Sequence, residues 1–235
     1  MAASEVPLIS SFSDTRLRWE NGTPQHELIE DGAGMRIIPT PHLDYWSRTF
    51  YQPLLLKHDA QCLLTPISQH AEATLSTAFT LAPRAQFDQA GIMVLVDEKT
   101  WVKAGIEFTD GVPRLSCVVT NDGFSDWSTQ KWTHWDATDD TTAIRVRVSK
   151  LLPGEAQGPT LVFEAAPYSD NMPGTHAEWF QVRIASLRSG NQPWQMGFFA
   201  SSPIRAAGCS ATFHHMHLGP KESPVHSVDP QHAAI

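Results

Sequence analysis

The chain has 235 residues and a formal net charge of −8 at pH 7. An acidic balance of this size provides no basic surface for nucleic acid or for an anionic membrane. The sequence holds no apolar run near the ~18 residues that a membrane span needs. The N-terminus lacks a basic segment followed by an apolar core, so no signal peptide is predicted. We therefore expect neither a nucleic-acid partner nor a membrane partner.

The cysteines indicate the compartment in which the protein works. Cys62, Cys117 and Cys209 are odd in number and far apart in the sequence. Cys117 lies in an apolar run, where a thiol behaves as a small hydrophobic side chain. This usage predicts reduced thiols, no disulfides and a cytoplasmic location.

The β-strand signals, taken in chain order, predict an all-β fold. Residues 1–12 are expected to be flexible, residues 13–218 to form a single jelly-roll domain, and residues 219–235 to be a disordered tail. Within the domain, Pro and Gly separate short β-rich runs, a spacing that is typical of an antiparallel β-sandwich or jelly roll. The predicted strands are Met35–Ile38, Ala73–Leu81, Ala90–Val96, Trp101–Phe108, Arg114–Thr120, Ala143–Val148, Thr160–Ala165, Trp179–Ile184, Gln195–Ser201 and Ser210–His217.

The clearest predicted hairpin turns at Asp110-Gly111. Asp-Gly between two β-rich runs favours a two-residue turn, because primed turns need positive φ at both central positions. A turn of this length places Glu107 opposite Arg114, about 5 Å away across the two strands. The Glu107 carboxylate is then either the ion-pair partner of Arg114 or a ligand-binding or catalytic group, and both interpretations stay open.

Side chains alternate along the strand that precedes this turn. Trp101, Lys103 and Glu107 share one face. The other face carries the apolar side chains Val102, Ala104, Ile106 and Phe108. Aromatic rings cover the apolar face of a sugar, while charged and amide groups bond to its hydroxyls. The pattern therefore predicts a sheet with a core face and a ligand-binding face.

Resemblance to a known family is carried by one long motif and several shorter ones. The long motif is DQAGIMVLVDEKTWVKAGIEFTDGVPRLSCVVTN, followed by SDWS at Ser125–Ser128. Shorter pieces are DYW at Asp44–Trp46 and MGFFASSP at Met196–Pro203. Over residues 11–218 the chain resembles the DUF1349 family, also called the regulation-of-enolase-like family. The resemblance implies a concanavalin A-like jelly roll, a fold that lectins, glucanases and sugar-binding modules share. Such a fold does not by itself specify a function.

The resemblance also implies a ligand pocket on the polar face. Its predicted residues are Asp44, Trp46, Gln89, Trp101, Lys103, Glu107, Asp126 and Trp127. The chain departs from the family pattern at Tyr45, where relatives often have Phe. No reaction follows from the family name.

Candidate catalytic groups in this pocket are Lys103, Glu107, Asp44 and Asp126. Glycoside hydrolysis needs two carboxyl groups about 5 to 9.5 Å apart, and glucanases with this fold carry two glutamates at alternate positions of one strand. The alternate positions beside Glu107 hold Gly105 and Thr109, so the sequence does not predict that mechanism. Proton transfer by Lys103 and Glu107 stays open, because a lysine near apolar rings can have its pKa lowered.

A metal site is considered at the sequence His214-His215-Met216-His217. His215 and His217 point the same way on a strand and could share a metal ion. A further ligand cannot be named from the sequence, so we expect no bound metal and no cofactor.

Taken together, the sequence predicts a protein that binds a small carbohydrate or a similar polar metabolite in a concave-face pocket. One alternative is an enzyme that acts on a sugar or secondary metabolite, with Lys103, Glu107 and a pocket aspartate as acid–base groups. Another is a protein-interaction module that regulates a metabolic enzyme. A closed pocket with a strongly shifted pKa would favour the enzyme. An exposed apolar patch would favour the protein partner.

Overall fold

Two seven-stranded antiparallel sheets make up most of the structure, a computed structural model that describes residues 6–134, 142–152, 154, 158–168, 178–188, 192–204 and 209–224. The first sheet has the strand order β1 (Arg18–Glu20), β6 (Cys62–Ile67), β15 (Trp194–Ser201), β8 (Gln89–Asp97), β9 (Thr100–Thr109), β10 (Val112–Asn121) and β11 (Phe124–Lys131). The second sheet has the order β14 (Phe180–Ser186), β13 (Thr160–Pro167), β12 (Thr142–Leu151), β7 (Ala73–Ala82), β16 (Ser210–Pro220), β3 (Gly34–Ile38) and β2 (Gln25–Ile29).

A small hairpin, β4 (Tyr45–Ser47) with β5 (Leu56–His58), and a single 3-10 turn at Glu30–Gly32 complete the elements in the described part of the chain. Among these residues no helix is both long enough and apolar enough to cross a membrane. The prediction of an antiparallel β-sandwich is confirmed.

The ten strands predicted from β-rich runs are all present. They correspond to β3, β7, β8, β9, β10, β12, β13, β14, β15 and β16. The sequence did not predict β1, β2, β4 and β5, which are short, nor β11, which is largely polar and lies at a sheet edge. It also missed β6, which contains Pro66, a residue that argues against a strand assignment.

The predicted register of the central hairpin is confirmed. Strand β9 pairs with β10 so that Thr109 faces Val112 and Glu107 faces Arg114. Asp110 and Gly111 both have positive φ, as a primed two-residue turn requires. On the inner face of β9, Ile106 is buried in the core between the two sheets, whereas Phe108, near the turn, is only half-buried.

A second apolar cluster covers the opposite, outer face of the first sheet. Tyr45 and Trp46 of the β4–β5 hairpin pack there against Met93, Trp101 and Phe199 of the sheet. Two hydrogen bonds anchor the hairpin, because the Ser47 amide donates to Ser125 and the Ser47 hydroxyl donates to the carbonyl of Gly123. The outer face is therefore partly closed, and it provides one wall of the candidate site.

Both ends of the chain extend the ordered fold beyond the expected boundaries of 13 and 218. Ile9 forms a backbone bridge with Leu218 and is buried. Phe12 packs in the core, with its ring centroid 5.2 Å from that of Phe198. Strand β16 continues to Pro220, and the amide of Glu222 donates to Thr74. The structure places Ile9 and Phe12 in the core because their large apolar side chains fill it, which corrects the expectation of a loose segment up to residue 12. Residues 225–235 of the predicted tail lie outside the described part of the chain.

The three cysteines are buried free thiols. Burial raises the pKa of each thiol, that of Cys117 to about 12. They form no disulfide, in agreement with the sequence analysis.

Candidate functional site

A cavity of about 270 Å³ lies between the outer face of the first sheet and the segments that cover it. This volume is near the lower end of the range for small-molecule sites and suits one small ligand. Its lining residues are His42, Asp44, Trp46, Tyr51, Leu55, Lys57, Phe87, Lys103, Glu107, Val118, Trp127, Pro203 and Ile204.

A buried ion pair forms part of the cavity floor. The Lys103 ammonium donates to the Asp44 carboxylate at 2.7 Å, and the side chains are 4% and 14% exposed. The Gln89 amide donates to the same Asp44 oxygen at 3.3 Å. The lysine comes from the sheet and the aspartate from a covering segment, so this contact joins the two parts that enclose the cavity.

Asp44 is itself held by the chain around it. Its amide donates to the Asp59 carboxylate at 2.9 Å, and its carbonyl accepts from the amides of Asp59 and Ala60. Its side chain also accepts from the amide of Tyr45. The Asp44 carboxylate is therefore fixed at the start of β4 and directed at Lys103.

Glu107 occupies the floor beside this pair, and its environment favours the protonated form. The side chain is 5% exposed, and the Ser116 hydroxyl donates to its carboxylate at 2.6 Å. The Trp127 indole N–H donates in turn to the Ser116 hydroxyl at 2.9 Å. Burial raises the pKa of Glu107 above its ordinary value of 4.5, against the opposing influence of Lys103.

Four aromatic rings stand around the cavity. Trp46 meets Tyr51 at 5.3 Å between ring centroids, and it meets Trp127 at 6.2 Å. Phe87 meets Tyr51 at 6.4 Å and Trp127 at 6.3 Å. The interplanar angles of these four contacts lie between 73° and 86°. We call Trp46, Tyr51, Phe87 and Trp127 the aromatic box.

The chain before β8 fixes the position of Phe87. Asp88 is fully buried and accepts from the amides of Arg84 and Ala85 and from the Ser202 hydroxyl. The turn formed in this way holds Phe87 at a φ of +69°, a conformation that is rare for a bulky residue. Such conformations persist where the surrounding structure determines them, often at ligand sites.

Five of the eight predicted pocket residues line the cavity, namely Asp44, Trp46, Lys103, Glu107 and Trp127. Gln89 and Trp101 share the same sheet face but do not line it. The side-chain amide of Gln89 donates a hydrogen bond to the Asp44 carboxylate. The Trp101 ring is fully buried, and its centroid lies 5.3 Å from that of the Tyr45 ring in an edge-to-face contact.

Asp126 lies outside the cavity. Asp126 directly precedes Trp127 in β11, and neighbouring side chains of a strand point to opposite faces of the sheet. The Asp126 side chain is 69% exposed and pairs at 3.2 Å with Arg183 of the second sheet. This placement removes it from the candidate acid–base groups, since it cannot reach a ligand in the cavity.

Of the two interpretations left open for Glu107, the ion pair with Arg114 does not form. The two residues are in register, but the carboxylate accepts a hydrogen bond from Ser116, two residues further along the neighbouring strand. Among the described residues, the Arg114 Nε is buried without a hydrogen-bond partner. Glu107 is thus a cavity residue and not half of a surface ion pair.

Comparison with known proteins assigns the chain to a family. The model for "Protein of unknown function (DUF1349)" matches residues 19–221. The chain belongs to the DUF1349 family.

Two curated relatives of this DUF1349 protein match over shorter stretches. "Regulation of enolase protein 1" from Saccharomyces cerevisiae is 43% identical over 93 residues, which cover 37% of this chain and 41% of that protein. An uncharacterized protein from Emericella nidulans is 28% identical over 109 residues, covering 45% of this chain and 52% of the relative. The matched stretches thus span about half or less of each relative.

Solved structures agree with the family fold. A functionally unknown protein from Saccharomyces cerevisiae superposes with a TM-score of 0.70 at 26% identity, covering 89% of this chain and 98% of the other. An engineered GH43 glycoside hydrolase superposes with a TM-score of 0.60 at 14% identity, covering 94% of this chain and 42% of the hydrolase. At that identity the second likeness concerns the fold alone.

Sequence reasoning missed part of this DUF1349 pocket. Tyr51 and Phe87 complete the aromatic box, and Leu55, Lys57 and Ile204 add to the lining. Phe87 comes directly before the long family motif, and Tyr51 follows the DYW motif by a few residues. Their closeness to these motifs is the sequence feature that could have identified them. Neither residue lies in a predicted strand, so the sequence did not predict which way its side chain points.

An irregularity in β16 displaces His214, whereas His215 and His217 keep the alternate positions that put them on one face of the strand. The register shifts between Phe213 and His215. His214 bonds to the Thr80 hydroxyl and stacks on Tyr168. Within the described residues, no three His, Cys, Asp or Glu side chains are grouped so that they could hold a metal ion.

The arrangement has two chemical capabilities. A protonated Glu107 can donate a hydrogen bond or a proton to a ligand, and the Asp44–Lys103 pair can accept and donate at a second point. Burial, followed by the nearby Glu107 and Asp44, raises the pKa of the Tyr51 hydroxyl, which therefore remains a neutral donor. The site thus combines a polar floor with aromatic walls.

Proposed function

We propose that this protein binds a small carbohydrate or a similar polar metabolite in the cavity on the outer face of the first sheet. The observation that carries the proposal is the polar floor, in which Glu107 and the Asp44–Lys103 pair are buried beneath aromatic walls. Burying a charged group costs free energy unless the group is paired, and buried ionisable groups that face a cavity are therefore candidates for ligand binding.

The floor is suited to recognition because its groups are already held in place. Gln89 and Asp59 hold Asp44, while Ser116 holds Glu107. A ligand that binds preorganised groups loses less free energy to ordering them. The apolar C–H groups of the same ligand would contact the rings.

A thermal-shift screen against sugars, sugar phosphates and other polar metabolites tests this proposal. A bound ligand raises the melting temperature by mass action. Calorimetry with the identified ligand then compares the wild type with Glu107→Gln, for which we expect affinity to fall about tenfold. Asp126→Asn is the matched control, because it changes a carboxylate outside the cavity, and it should bind like the wild type. Equal affinities for Glu107→Gln and the wild type would refute the assigned site.

A protein partner is a second candidate function, and the chain segment beside the cavity supports it. Phe50, Leu54 and Leu56 are 86%, 60% and 46% exposed, next to the lining residues Tyr51 and Leu55. Exposed apolar groups of this kind mark interaction surfaces. The relative named for regulation of enolase suggests a metabolic enzyme as the partner.

Sedimentation velocity with purified enolase from the same organism tests this second candidate. We expect a complex with the wild type that is lost in the double variant Phe50→Ser/Leu54→Ser. Phe124→Ser, which changes an exposed aromatic residue at the start of β11, is the matched control. Absence of a complex at high concentration, with both proteins folded, would exclude this enzyme as the partner.

A further inference from the structure

The aromatic box has a geometry that a single stacking surface does not have. Its four ring contacts form a closed circuit, from Trp46 to Tyr51, Phe87, Trp127 and back to Trp46, with centroid separations of 5.3 to 6.4 Å. Each ring is nearly perpendicular to the next, and all four line the same cavity. Adjacent walls of a box have this relation to one another.

The indole N–H groups of the two tryptophan walls are already used, which leaves the Tyr51 hydroxyl as the polar atom of the box. The Trp46 indole N–H donates to the carbonyl of Thr49, and the Trp127 indole N–H donates to Ser116. The walls therefore offer ring surfaces and few hydrogen bonds. A bare sugar carries hydroxyls around its whole rim and would leave several of them unpaired against these walls, which is costly. A compact alkylated ammonium group presents C–H groups in every direction, and its positive charge is attracted by each ring face.

We propose that the box holds the alkylated ammonium group of an organic cation, for which a quaternary ammonium is the best fit. This inference rests on the proposed function, since it specifies the class of polar metabolite that the cavity binds. The remainder of the ligand contacts the polar floor at Glu107 and at the Asp44–Lys103 pair.

The charges around the cavity agree with a cationic ligand. The Lys103 ammonium is bonded to Asp44, and the ammonium of Lys57, another lining residue, lies 3.2 Å from Asp59. Each lysine charge is therefore offset by a neighbouring carboxylate. Glu107 has a hydroxyl, not a cation, as its hydrogen-bonding partner. Its carboxyl group is the anionic counterpart that the floor offers to a bound cation.

Ligand binding is then linked to the protonation of Glu107. This group is faced by Lys103 on its own strand, by Arg114 on β10, and by Asp44 and Tyr51 of the covering segments. Because burial raises the pKa of Glu107, the ligand-free protein keeps this carboxyl group protonated to a higher pH than an exposed glutamate. A cation favours the ionised form, so its binding releases that proton, and affinity rises as the pH rises.

Calorimetry on the full chain tests the inference with three probes, namely tetramethylammonium, choline and 3,3-dimethyl-1-butanol. The last is the uncharged carbon isostere of choline, so it has the same shape without the cation. We expect choline to bind about tenfold more tightly than the isostere. Titrations in buffers of different ionisation enthalpy should show proton release with choline and none with the isostere.

Wall variants localise the binding. Phe87→Leu keeps an apolar side chain but removes one ring, and it should weaken choline binding about threefold or more. Phe124→Leu is the matched control, because Phe124 is an exposed aromatic residue that does not line the cavity. If Phe87→Leu fails to fold, Tyr51→Leu removes another wall and serves the same comparison.

The outcomes separate this inference from the proposed function. Equal affinity for choline and its isostere would overturn the inference, since the cavity would then be merely apolar. Binding of sugars without binding of either ammonium probe would overturn the inference and leave the proposed function in place. Failure of both the ammonium probes and the metabolite screen would overturn both.

Discussion

The outer faces of the two sheets each bury a charged pair, and the pairs differ in where their partners come from. On the second sheet, Arg147 lies 2.6 Å from Glu164, which sits directly opposite it on the neighbouring strand. On the first sheet, the partner of Lys103 is Asp44, which comes from a covering segment far away in the sequence. Both pairs are largely buried, so burial does not distinguish them.

The surroundings of the two pairs do distinguish them. Trp179 packs over Arg147, with 4.6 Å between the guanidinium and the ring centroid, and Glu222 adds a second carboxylate. Lys103 and Asp44 instead face a cavity with Glu107 beside them. A charged pair that comes from neighbouring strands and is covered by the chain stabilises the sheet. A pair that joins the sheet to a covering segment beside a cavity can also bind a ligand. Charged residues on a strand face do not by themselves mark a site.

The largest effect is expected at the pair of the second sheet. Arg147→Met removes the cation that is bonded to the fully buried Glu164 carboxylate. We expect the free energy of unfolding to fall by ~3–5 kcal/mol, because the buried Glu164 carboxylate loses the guanidinium that faces it. Urea denaturation measures this loss, and ligand affinity should not change. A fall in affinity would contradict the distinction between the two pairs.

A smaller loss of stability, accompanied by a loss of binding, is expected at the pair of the first sheet. Asp44→Asn removes the anionic partner of Lys103 but keeps a carbonyl oxygen for it. We expect a cost of ~1–3 kcal/mol in unfolding free energy and about a tenfold fall in ligand affinity. Denaturation and calorimetry on the same preparation measure both quantities. Unchanged affinity would place the ligand elsewhere.

The pH dependence of stability tests the environment of Glu107. Its pKa is raised in the folded protein, so the folded state binds more protons than the unfolded state above pH 4.5. Stability from this group is fully present below that pH and is lost as the pH rises through the folded pKa. Glu107→Gln should therefore become more stable relative to the wild type as the pH increases. Thermal melts of both proteins across pH 4 to 9 check this, and a constant difference would be inconsistent with a buried, protonated Glu107.

The smallest effect is expected at Asp126, the predicted pocket residue that lies outside the cavity. Asp126→Asn breaks a mostly exposed ion pair with Arg183. We expect a change of less than ~1 kcal/mol in unfolding free energy, because such pairs are screened by solvent. Calorimetry should give the affinity of the wild type. A clear loss of binding would return Asp126 to the site.

Local patterns accounted for much of the fold because they depend on neighbouring residues. Asp110-Gly111 determines the turn between β9 and β10, and the turn length then determines which residues face one another. Alternation along β9 separates the core face, with Ile106, from the face that carries Lys103 and Glu107. The sequence did not predict β11 or the β4–β5 hairpin, whose short or polar strands are stabilised by contacts with distant parts of the chain.

The sequence by itself therefore determined the β-sandwich, the register of its central hairpin and the strand face on which a site could lie. Only the tertiary structure decided which of those residues meet. Asp44 reaches Lys103 across 59 positions of sequence, and Glu107 bonds to Ser116 instead of Arg114. Phe87 meets the rings of Tyr51 and Trp127, which come from two other segments. The physical reason is that alternation and turn type act over a few residues. The direction of a loop side chain, by contrast, depends on hydrogen bonds and packing with segments that only the folded chain brings together.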